Sequence, residues 1–243
     1  MRVIYEPSGR AREYAELATN PYAGCVHGCR YCYAPLAMRK HRAEFHAGAR
    51  ARPKFLEQIR EDARELAGDR REVLFSFSCD PYQEIERTEQ LTRQSLGILA
   101  DHAVGTIVLT KAPGLAIERD LDVLARARTK FGVTLVSLEE RFLREWEPRA
   151  DSIEVRLVAL RLARAAGLRT WVSLEPVVSP VAAYDVLREV SRIGVDEVRI
   201  GKLNHDKERE DRVDWGEFAH EAVKICQAAK MHFYLKEDLR KWL

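Results

Sequence analysis

Cys25-Val26-His27-Gly28-Cys29-Arg30-Tyr31-Cys32 is the stretch around which the fold and the chemistry of this chain are organised. Three of the five cysteines lie within these eight positions, with three residues between the first two and two residues between the last two. Three thiolates so close together are a candidate metal centre, and a set of three ligands leaves one coordination position free. We therefore expect the rest of the chain to build a site around that position.

The composition is that of one folded domain with a large core. The chain has 243 residues, of which 46% are hydrophobic and 32% are charged. No run approaches the ~18 apolar residues that a membrane span needs, and the N-terminus has no apolar signal core, so we expect a cytoplasmic protein with no membrane partner and with reduced thiols. Five clustered cysteines fit metal binding better than a disulfide framework.

From residue 53 onwards, apolar helical faces alternate with short buried strands. Before this series, 17–22 is predicted to be a short strand. Within it, the predicted strands are 72–78, 106–110, 133–138, 170–174 and 196–200, and 232–236 is a candidate for one more. The predicted helices are 55–66, 89–101, 117–124, 151–167, 183–193 and 214–229. Asp151 with Glu154 resembles a capping box, and Asp214 with Glu217 marks the start of the last helix. This alternation predicts right-handed βα units and a parallel sheet.

Two closures of such a sheet compete, an open doubly wound sheet and a barrel. A complete eightfold barrel typically takes about 250 residues, and only six or seven strands are found here. We therefore predict an α/β fold: a partial (β/α)6 TIM-like barrel of parallel strands with outer helices and a candidate extra C-terminal strand. Residues 1–243 are predicted to be a single barrel domain, with its core at about 17–236 and the cysteine loop at 24–33.

Polar residues gather where the predicted strands end. Two successive strands end in the same tripeptide, Ser137-Leu-Glu139 and Ser173-Leu-Glu175. In parallel α/β folds, ligands bind at the carboxyl ends of strands. The candidates at these ends are Ser78, Cys79, Asp80, Tyr82, Thr110, Lys111, Ser137, Glu139, Ser173, Glu175, Lys202, Asn204 and His205. Some of these residues are polar only because a buried strand has ended. The number of polar residues at this one rim nevertheless predicts a ligand site.

Positive charge is concentrated in residues 39–54. The cations are Arg39, Lys40, Arg42, Arg50, Arg52 and Lys54, and Glu44 is the one carboxylate among them. A local excess of this kind can lie on a phosphate backbone, which makes nucleic acid a candidate partner. The alternative is a solvated, arginine-rich loop.

Three interpretations of the cysteine loop compete. The first is a zinc site with His27 as a fourth ligand, although structural zinc sites usually join two cysteine pairs that are far apart in sequence. The second is a coincidence of reduced cytosolic thiols. The third is a cubane iron–sulfur cluster held by three cysteines, with its fourth iron open to another ligand.

The cysteine spacing, with an aromatic residue before the last cysteine and a position after the first strand of a βα series, resembles the radical S-adenosylmethionine (SAM) superfamily. Within it, Asn20-Pro-Tyr-Ala-Gly-Cys25-Val-His-Gly-Cys29-Arg-Tyr-Cys32-Tyr33-Ala resembles the spore photoproduct lyase-like branch. Further matches are Asp80-Pro-Tyr-Gln83 with Glu86, Thr110-Lys111, and Glu147-Pro-Arg-Ala150. The resemblance runs from about Asn20 to the C-terminus.

The resemblance implies an oxygen-sensitive enzyme. Cys25, Cys29 and Cys32 would hold a [4Fe–4S] cluster whose unique iron chelates the amino and carboxylate groups of SAM. One electron would cleave SAM to methionine and a 5′-deoxyadenosyl radical, which abstracts hydrogen from a substrate. Iron–sulfur potentials span roughly −700 to +450 mV and this step needs the low end, so a donor such as flavodoxin or ferredoxin is expected. Cys79 and Cys226 are too few for a second cluster with four cysteines.

The resemblance also implies roles for single residues. Tyr31 corresponds to the aromatic residue at the adenine, and Tyr33 to a tyrosine near the radical. Ser78, Cys79 and Asp80 stand where many members carry Gly-Gly-Glu for the methionyl amino group, and Lys111 matches a lysine that pairs with the cofactor carboxylate. The remaining expected cofactor-binding residues are Ser137, Glu139 at the ribose, Glu175, and the backbone of Gly201 and Lys202 at the adenine.

Two interpretations of Cys79 stay open. In photoproduct lyases a cysteine in this neighbourhood returns a hydrogen atom to the product radical, which would make Cys79 catalytic together with Tyr33. The alternative is a small residue that lines the cofactor pocket. Cys226 shares a helical stripe with Phe218, Ala222 and Ala229, which predicts a buried core thiol.

Three hypotheses about function follow. The first is a lyase-like radical SAM enzyme that acts on a nucleic acid or a nucleotide. The second is a radical SAM enzyme that acts on a small metabolite or a peptide. The third, from another class, is a non-catalytic nucleic-acid-binding protein stabilised by zinc.

Overall fold

The computed structural model describes residues 2–243. The strands are β1 (Leu17–Thr19), β2 (Tyr22–Ala23), β3 (Arg50–Ala51), β4 (Val73–Phe75), β5 (Thr106–Thr110), β6 (Lys130–Thr134), β7 (Arg169–Val177), β8 (Glu197–Lys202) and β9 (His232–Leu235). Seven of them form one parallel sheet in the order β1-β4-β5-β6-β7-β8-β9, while β2 and β3 pair antiparallel. Neighbours in the sheet are successive strands of the series, which confirms the predicted partial barrel. The extra C-terminal strand is β9.

Helices connect the strands. They are α1 (Ala34–Ala37), α2 (Arg42–His46), α3 (Phe55–Glu65), α4 (Glu86–Glu89), α5 (Leu91–Asp101), α6 (Pro113–Arg119), α7 (Leu121–Arg126), α8 (Glu140–Trp146), α9 (Ile153–Ala165), α10 (Pro180–Ile193), α11 (Lys207–Glu210), α12 (Trp215–Ala228) and α13 (Glu237–Arg240), with a 3-10 helix at Gly9–Glu13. The apolar stripe of α10 includes Ala183, Val186 and Leu187, and these three side chains are completely buried. Burial of such apolar faces against the sheet is the main favourable contribution to this architecture.

Strand β6 begins at Lys130 instead of Val133 and ends at Thr134 instead of Leu138, so it lies earlier in the chain than the sequence predicts. Gly132 lies under the indole of Trp171, and a Cβ on Gly132 would lie 2.1 Å from the Trp171 Nε1 atom. The glycine thus lets a buried tryptophan of the neighbouring strand pack across β6. Lysine and glycine are depleted in strands, so the local sequence does not indicate that residues 130–132 pair with β7.

Helix starts also differ in detail. The α9 cap is Ser152, whose Oγ accepts from the Val155 amide, whereas Asp151 accepts from the Gly114 amide. The Asp214 cap is as expected and accepts from the Glu217 amide at 2.8 Å. The helix predicted over 117–124 is two helices, α6 and α7, which meet at Asp120. The helix predicted over 89–101 begins at Leu91, after the separate turn α4.

The edge strands β1 and β9 do not pair with each other, and side chains bridge the gap between them. Arg199 of β8 donates to the carbonyls of Glu13 and Tyr14, at 3.0 and 2.7 Å, just before β1. Tyr234 of β9 donates to Glu13 Oε1 at 3.1 Å. We refer to these contacts of Glu13 and Tyr14 with β8 and β9 as the seam. The barrel is therefore closed here by side chains and not by a strand ladder.

Across residues 2–243, no helix combines the length and the apolar character that a membrane crossing requires.

Candidate functional site

A cleft of about 300 Å³ lies at the carboxyl ends of the strands, and all three clustered cysteines line it. Cys25 and Cys29 are buried and Cys32 is half-buried. The other predicted site residues that line the cleft are Tyr31, Tyr33, Ser78, Cys79, Asp80, Thr110, Lys111, Ser173, Glu175, Lys202, Asn204 and His205. The parallel sheet thus brings residues from five separate chain segments to one cavity.

Three residues expected at the cofactor do not line this cleft, namely Ser137, Glu139 and Gly201. Ser137 Oγ accepts a hydrogen bond from the Glu139 amide at 3.0 Å, in the turn that leads into α8. Gly201 lies behind Glu175, whose Cδ would be 2.7 Å from a Cβ at position 201. The first copy of the repeated tripeptide therefore builds a turn, while Ser173 and Glu175 of the second copy face the cleft.

The cysteine loop starts with a backbone turn that only glycine fits. Gly24 has a φ of +87°, and a Cβ there would lie 2.3 Å from the Gly48 carbonyl oxygen. This close approach brings the loop against α2, where the Cys25 amide donates to the Phe45 carbonyl at 3.3 Å. Within the loop, the Cys32 amide donates to the Cys29 carbonyl at 3.1 Å.

Three side chains after β4 hold the first half of the loop. Asp80 Oδ2 lies 3.2 Å from His27 Nε2. Gln83 accepts from the Val26 amide at 3.0 Å and donates to the Gly24 carbonyl at 3.1 Å. Glu86 accepts from the hydroxyl of Tyr22, which lies just before the loop. The Asp80-Pro-Tyr-Gln83 motif and Glu86 therefore act as a scaffold for the cysteines.

The segment after α8 holds the second half of the loop. The Arg30 amide donates to the Trp146 carbonyl at 2.8 Å, and His27 Nδ1 lies 2.8 Å from the Arg149 carbonyl. The Tyr31 hydroxyl donates to Glu147, whose other carboxylate oxygen lies 2.5 Å from Arg156 Nη1. Glu147 is 2% exposed and Arg156 is 0% exposed. The Glu147-Pro-Arg-Ala150 motif therefore also supports the loop.

Asp80 is a buried carboxylate with four protein donors. Its Oδ1 accepts from the Thr110 hydroxyl at 2.6 Å and the Tyr82 amide at 2.9 Å, and its Oδ2 accepts from the Lys111 amide at 2.7 Å and faces His27. Burial alone would raise its pKa, but His27 and these donors lower the pKa of Asp80 to about 2. Burial would lower the pKa of His27, yet Asp80 raises it. The carboxylate is thus ionised and tied to protein groups, although it lines the cleft.

Tyr31 and Lys111 face each other in the cleft. Lys111 Nζ lies 5.6 Å from the centre of the Tyr31 ring and 3.4 Å from Thr134 Oγ1. The Tyr31 ring stacks on Trp146, with ring centres 6.3 Å apart. These contacts fix an aromatic face and an ammonium group beside the cysteines, which suits an adenine ring and a carboxylate.

The structure adds residues that the sequence does not indicate. The Tyr14 hydroxyl is 2.9 Å from Ser173 Oγ and also bonds to Glu175. Lys236 Nζ donates to Glu175 Oε1 at 2.9 Å and lies 4.9 Å from the Tyr14 ring centre. Tyr14 comes from the N-terminal segment, which has no periodic pattern, so no sequence signal marked it. Lys202, which the sequence does predict, is also hydrogen-bonded within the protein, because its Nζ donates to Glu210 at 2.8 Å.

The two residues expected to be catalytic, Cys79 and Tyr33, both line the cleft but have different hydrogen-bond partners. Cys79 Sγ is 3.2 Å from Ser76 Oγ, and burial raises the pKa of Cys79 to about 11, so the thiol keeps its proton. Tyr33 is 47% exposed, and its hydroxyl donates to the Phe77 carbonyl at 2.9 Å. Cys226 is fully buried in the core, away from the cleft lining.

The donor set fits an iron–sulfur cluster. All five cysteines are free thiols, and burial raises the pKa of Cys25, Cys29 and Cys32, that of Cys29 to about 12. Within residues 2–243, no three His, Cys, Asp or Glu side chains converge on a single metal ion. A cubane cluster does not need such convergence, because each cysteine binds a different iron.

Comparison with known proteins identifies the family. The sequence model of the radical SAM superfamily matches residues 19–182, about two thirds of the chain. The chain belongs to the radical SAM superfamily. It is therefore a radical SAM enzyme, a class that uses an iron–sulfur cluster and SAM and generally needs a reductant.

Two relatives show how far the sequence similarity of this radical SAM enzyme extends. The uncharacterized protein ORF301 of Acidianus two-tailed virus is 26% identical over 221 residues, which cover 83% of this chain and 72% of that protein. The uncharacterized protein Rv2578c of Mycobacterium tuberculosis is 30% identical over 166 residues, 65% of this chain and 48% of that protein. The match thus spans about half the length of the mycobacterial relative.

Solved structures share the fold of this radical SAM enzyme. A variant of spore photoproduct lyase superposes with a TM-score of 0.75 at 16% identity, covering 97% of this chain and 80% of that one. Spore photoproduct lyase complexed with dinucleoside spore photoproduct gives 0.70 at 17% identity, with 95% and 79% covered. Streptococcus suis SuiB bound to the precursor peptide SuiA gives 0.65 at 13% identity, with 90% and 48% covered.

Proposed function

We propose that Cys25, Cys29 and Cys32 hold a [4Fe–4S] cluster and that SAM binds beside it in the cleft. When bound, such a cluster supplies the electron that cleaves SAM to methionine and a 5′-deoxyadenosyl radical, which removes a hydrogen atom from the substrate. The observation that supports this proposal is that three free thiols line the cleft on a loop that is hydrogen-bonded from two sides. This chemistry needs a reducing compartment such as the cytoplasm.

The chain's own residues would orient SAM. The Lys111 ammonium group is placed for the carboxylate, and the Tyr31 face is placed for the adenine ring. Ser78 and Glu175 remain candidates for the amino and hydroxyl groups, whereas Asp80 would act through the loop, because its oxygens already have protein donors. For Ser137, Glu139 and Gly201, cofactor contact remains a prediction that would require a change from the present cleft lining.

We assign the substrate to the nucleic acids or nucleotides. The support is the fold shared with spore photoproduct lyase, a structure of which contains dinucleoside spore photoproduct. Tyr33 and Cys79 would then be the groups next to the radical, with Cys79 as a hydrogen donor or as a lining residue. SuiB, which shares the fold and binds a precursor peptide, keeps a peptide or small metabolite as the second candidate. We also propose one barrel domain over residues 1–243, with its core at about 17–236 and the cluster loop at 24–33.

Anaerobic reconstitution tests the proposal. We expect about four irons and four sulfides per chain, and release of 5′-deoxyadenosine when dithionite and SAM are added. The variant Cys29→Ser should lose both, whereas Cys226→Ser, which changes a buried thiol outside the cleft, should keep both. Stoichiometric zinc without a brown chromophore would instead support the zinc-stabilised binding protein.

Substrate class is then tested with deuterium-labelled candidates. Transfer of deuterium from a labelled oligonucleotide or nucleoside into 5′-deoxyadenosine would support the first substrate class. Transfer only from a labelled peptide or metabolite would contradict it.

A further inference from the structure

The net positive charge of the chain comes from the segment next to the cluster loop, residues 39–54. Of 40 Lys and Arg residues and 38 Asp and Glu residues, six cations but one carboxylate fall in residues 39–54, which leaves 34 cations against 37 carboxylates elsewhere. The one carboxylate, Glu44, lies 3.6 Å from Lys40. The segment is therefore strongly cationic in a protein that is otherwise slightly acidic.

This segment is attached to the cysteines themselves. Arg42 donates to the carbonyls of Cys29 and Cys32, the latter at 3.1 Å. His46 Nδ1 lies 2.8 Å from the Cys25 carbonyl. Phe45 and Met38 pack against Cys25 and Cys32 in one apolar cluster. The segment that carries the cations is therefore in direct contact with the cysteine loop.

The six cations divide into two groups. Arg42 is committed to the loop carbonyls, and Arg52 is half-buried, with its Nε buried in the protein. Arg39, Lys40, Arg50 and Lys54 are exposed. None of these four lines the cleft, where the substrate has to meet the radical.

We propose that Arg39, Lys40, Arg50 and Lys54 form a docking surface for an acidic one-electron carrier protein. The proposal rests on the proposed function, because the carrier delivers its electron to the cluster. Tunnelling slows steeply with distance, so the carrier must dock where little protein separates it from the thiols. An array of cations attracts an acidic partner and accelerates its encounter, up to about 10- to 1,000-fold at low salt. A nucleic acid on the same cations would lie over the cluster loop and outside the cleft.

The test compares two double variants of the reconstituted protein. Arg39→Glu with Arg50→Glu reverses two charges of the proposed surface. The matched control, Arg64→Glu with Arg70→Glu, reverses two exposed arginines near the end of α3 and before β4. The readouts are the second-order rate of cluster bleaching by reduced bacterial flavodoxin, the rate of bleaching by dithionite, and the dissociation constant for oxidised flavodoxin.

We expect the first variant to slow reduction by flavodoxin at least tenfold at low ionic strength, to weaken flavodoxin binding by a similar factor, and to reduce the salt dependence of both. Dithionite should bleach both variants at the wild-type rate. Equal flavodoxin rates and affinities in the two variants would overturn the proposal. So would unchanged flavodoxin behaviour combined with a selective loss of affinity for a DNA oligonucleotide, which would assign the surface to nucleic acid.

The two proposals fail separately. If dithionite releases no 5′-deoxyadenosine from the wild-type protein, the proposed function is wrong, while flavodoxin binding still reports on the docking surface. If dithionite works and flavodoxin does not distinguish the variants, only the docking surface is wrong.

Discussion

At the scale of single residues, the polar side chains of the two matching motifs, such as Asp80, Gln83 and Glu147, contact the cysteine loop. Gln83 is completely buried and makes two hydrogen bonds to the loop backbone. The sequence marks Gln83 only as the last residue of the Asp80-Pro-Tyr-Gln83 match. Its actual partners, Gly24 and Val26, belong to a loop whose path depends on tertiary contacts that no local pattern encodes.

Replacement of Gln83 tests this scaffold. Gln83→Leu should leave the Gly24 carbonyl and the Val26 amide without partners and lower the free energy of unfolding by about 2 to 4 kcal/mol. Gln83→Glu keeps the acceptor for Val26 and should have an intermediate effect. The measurements are urea unfolding of the metal-free protein and iron per chain after reconstitution. Full iron loading and unchanged stability in Gln83→Leu would contradict the scaffold role.

Gly24 allows a second residue-scale prediction. Gly24→Ala places a Cβ against the Gly48 carbonyl, so the loop must move and iron loading should fall severalfold. Gly68 has a similar φ, +84°, but a Cβ there would meet no atom within 4 Å, which makes it the matched control. Gly68→Ala should carry only the backbone penalty of about 1 kcal/mol and retain iron. Equal iron loading of the two variants would show that the close approach does not matter.

Asp80 makes the stability of the metal-free protein depend on pH. Its pKa is lowered from 3.8 to about 2 in the folded state, so its stabilising effect is complete above about pH 4 and disappears as the pH falls towards 2. The reference is the double variant His27→Gln with Asp80→Asn, in which neither group titrates. The difference in unfolding free energy should shrink by about 2 kcal/mol between pH 5 and pH 2. A difference that stays constant over this range would contradict the assignment.

At the scale of elements, the segment between α8 and α9 carries the loop through a buried ion pair. Glu147→Gln leaves the Arg156 charge unpaired and should lower the free energy of unfolding by about 3 to 5 kcal/mol. The exposed pair of Asp185 and Arg188, 3.0 Å apart on α10, is the control. Asp185→Asn should change stability by less than about 1 kcal/mol in the same urea titration. An equally small effect of Glu147→Gln would show that Arg156 finds another partner.

Elements were predictable where local pattern and packing agree. The strand at 106–110 and the stripe on α10 follow from apolar periodicity, and both have the expected bounds or burial. The pattern fails at β6, because Gly132 is in the strand to make room for Trp171. It also fails at α9, where Asp151 is taken by the Gly114 amide and Ser152 becomes the cap. In each case a contact from a distant segment overrides the local preference.

At the scale of the whole molecule, the order of strands and the position of the cleft follow from the alternation of βα units, but the seam does not. Its residues, such as Glu13 and Tyr14, lie in a segment without apolar periodicity. They contact strands almost 190 residues away, as in the Arg199 bond to the Glu13 carbonyl. Glu175 is predicted at the rim, but its contacts with Tyr14 and Lys236 could not be predicted, because they join segments that are far apart in sequence.

The seam should be a weak point of the barrel. Glu13→Gln weakens the contacts with Tyr234 and with Lys236, whose Nζ lies 3.7 Å from Glu13 Oε2. Backbone amides in residues 9–19 should then exchange with deuterium about tenfold faster, while those of β6 in the middle of the sheet keep the wild-type rate. Uniform acceleration across the sheet would show that the seam does not open separately.

The hydrogen bonds that hold the cysteine loop also determine when this loop can fold during synthesis of the chain. Tyr31 is 116 positions away from its partner Glu147, and Val26 is 57 away from Gln83. A chain is synthesised from its N-terminus at about 5 to 20 residues per second, so the cysteines leave the ribosome many seconds before these partners. The loop reaches its final shape only after α8 has emerged and packed. Insertion of the proposed cluster into the folded loop would therefore be a late event, and until then the nascent cysteines are exposed to oxidation and to competing metal ions.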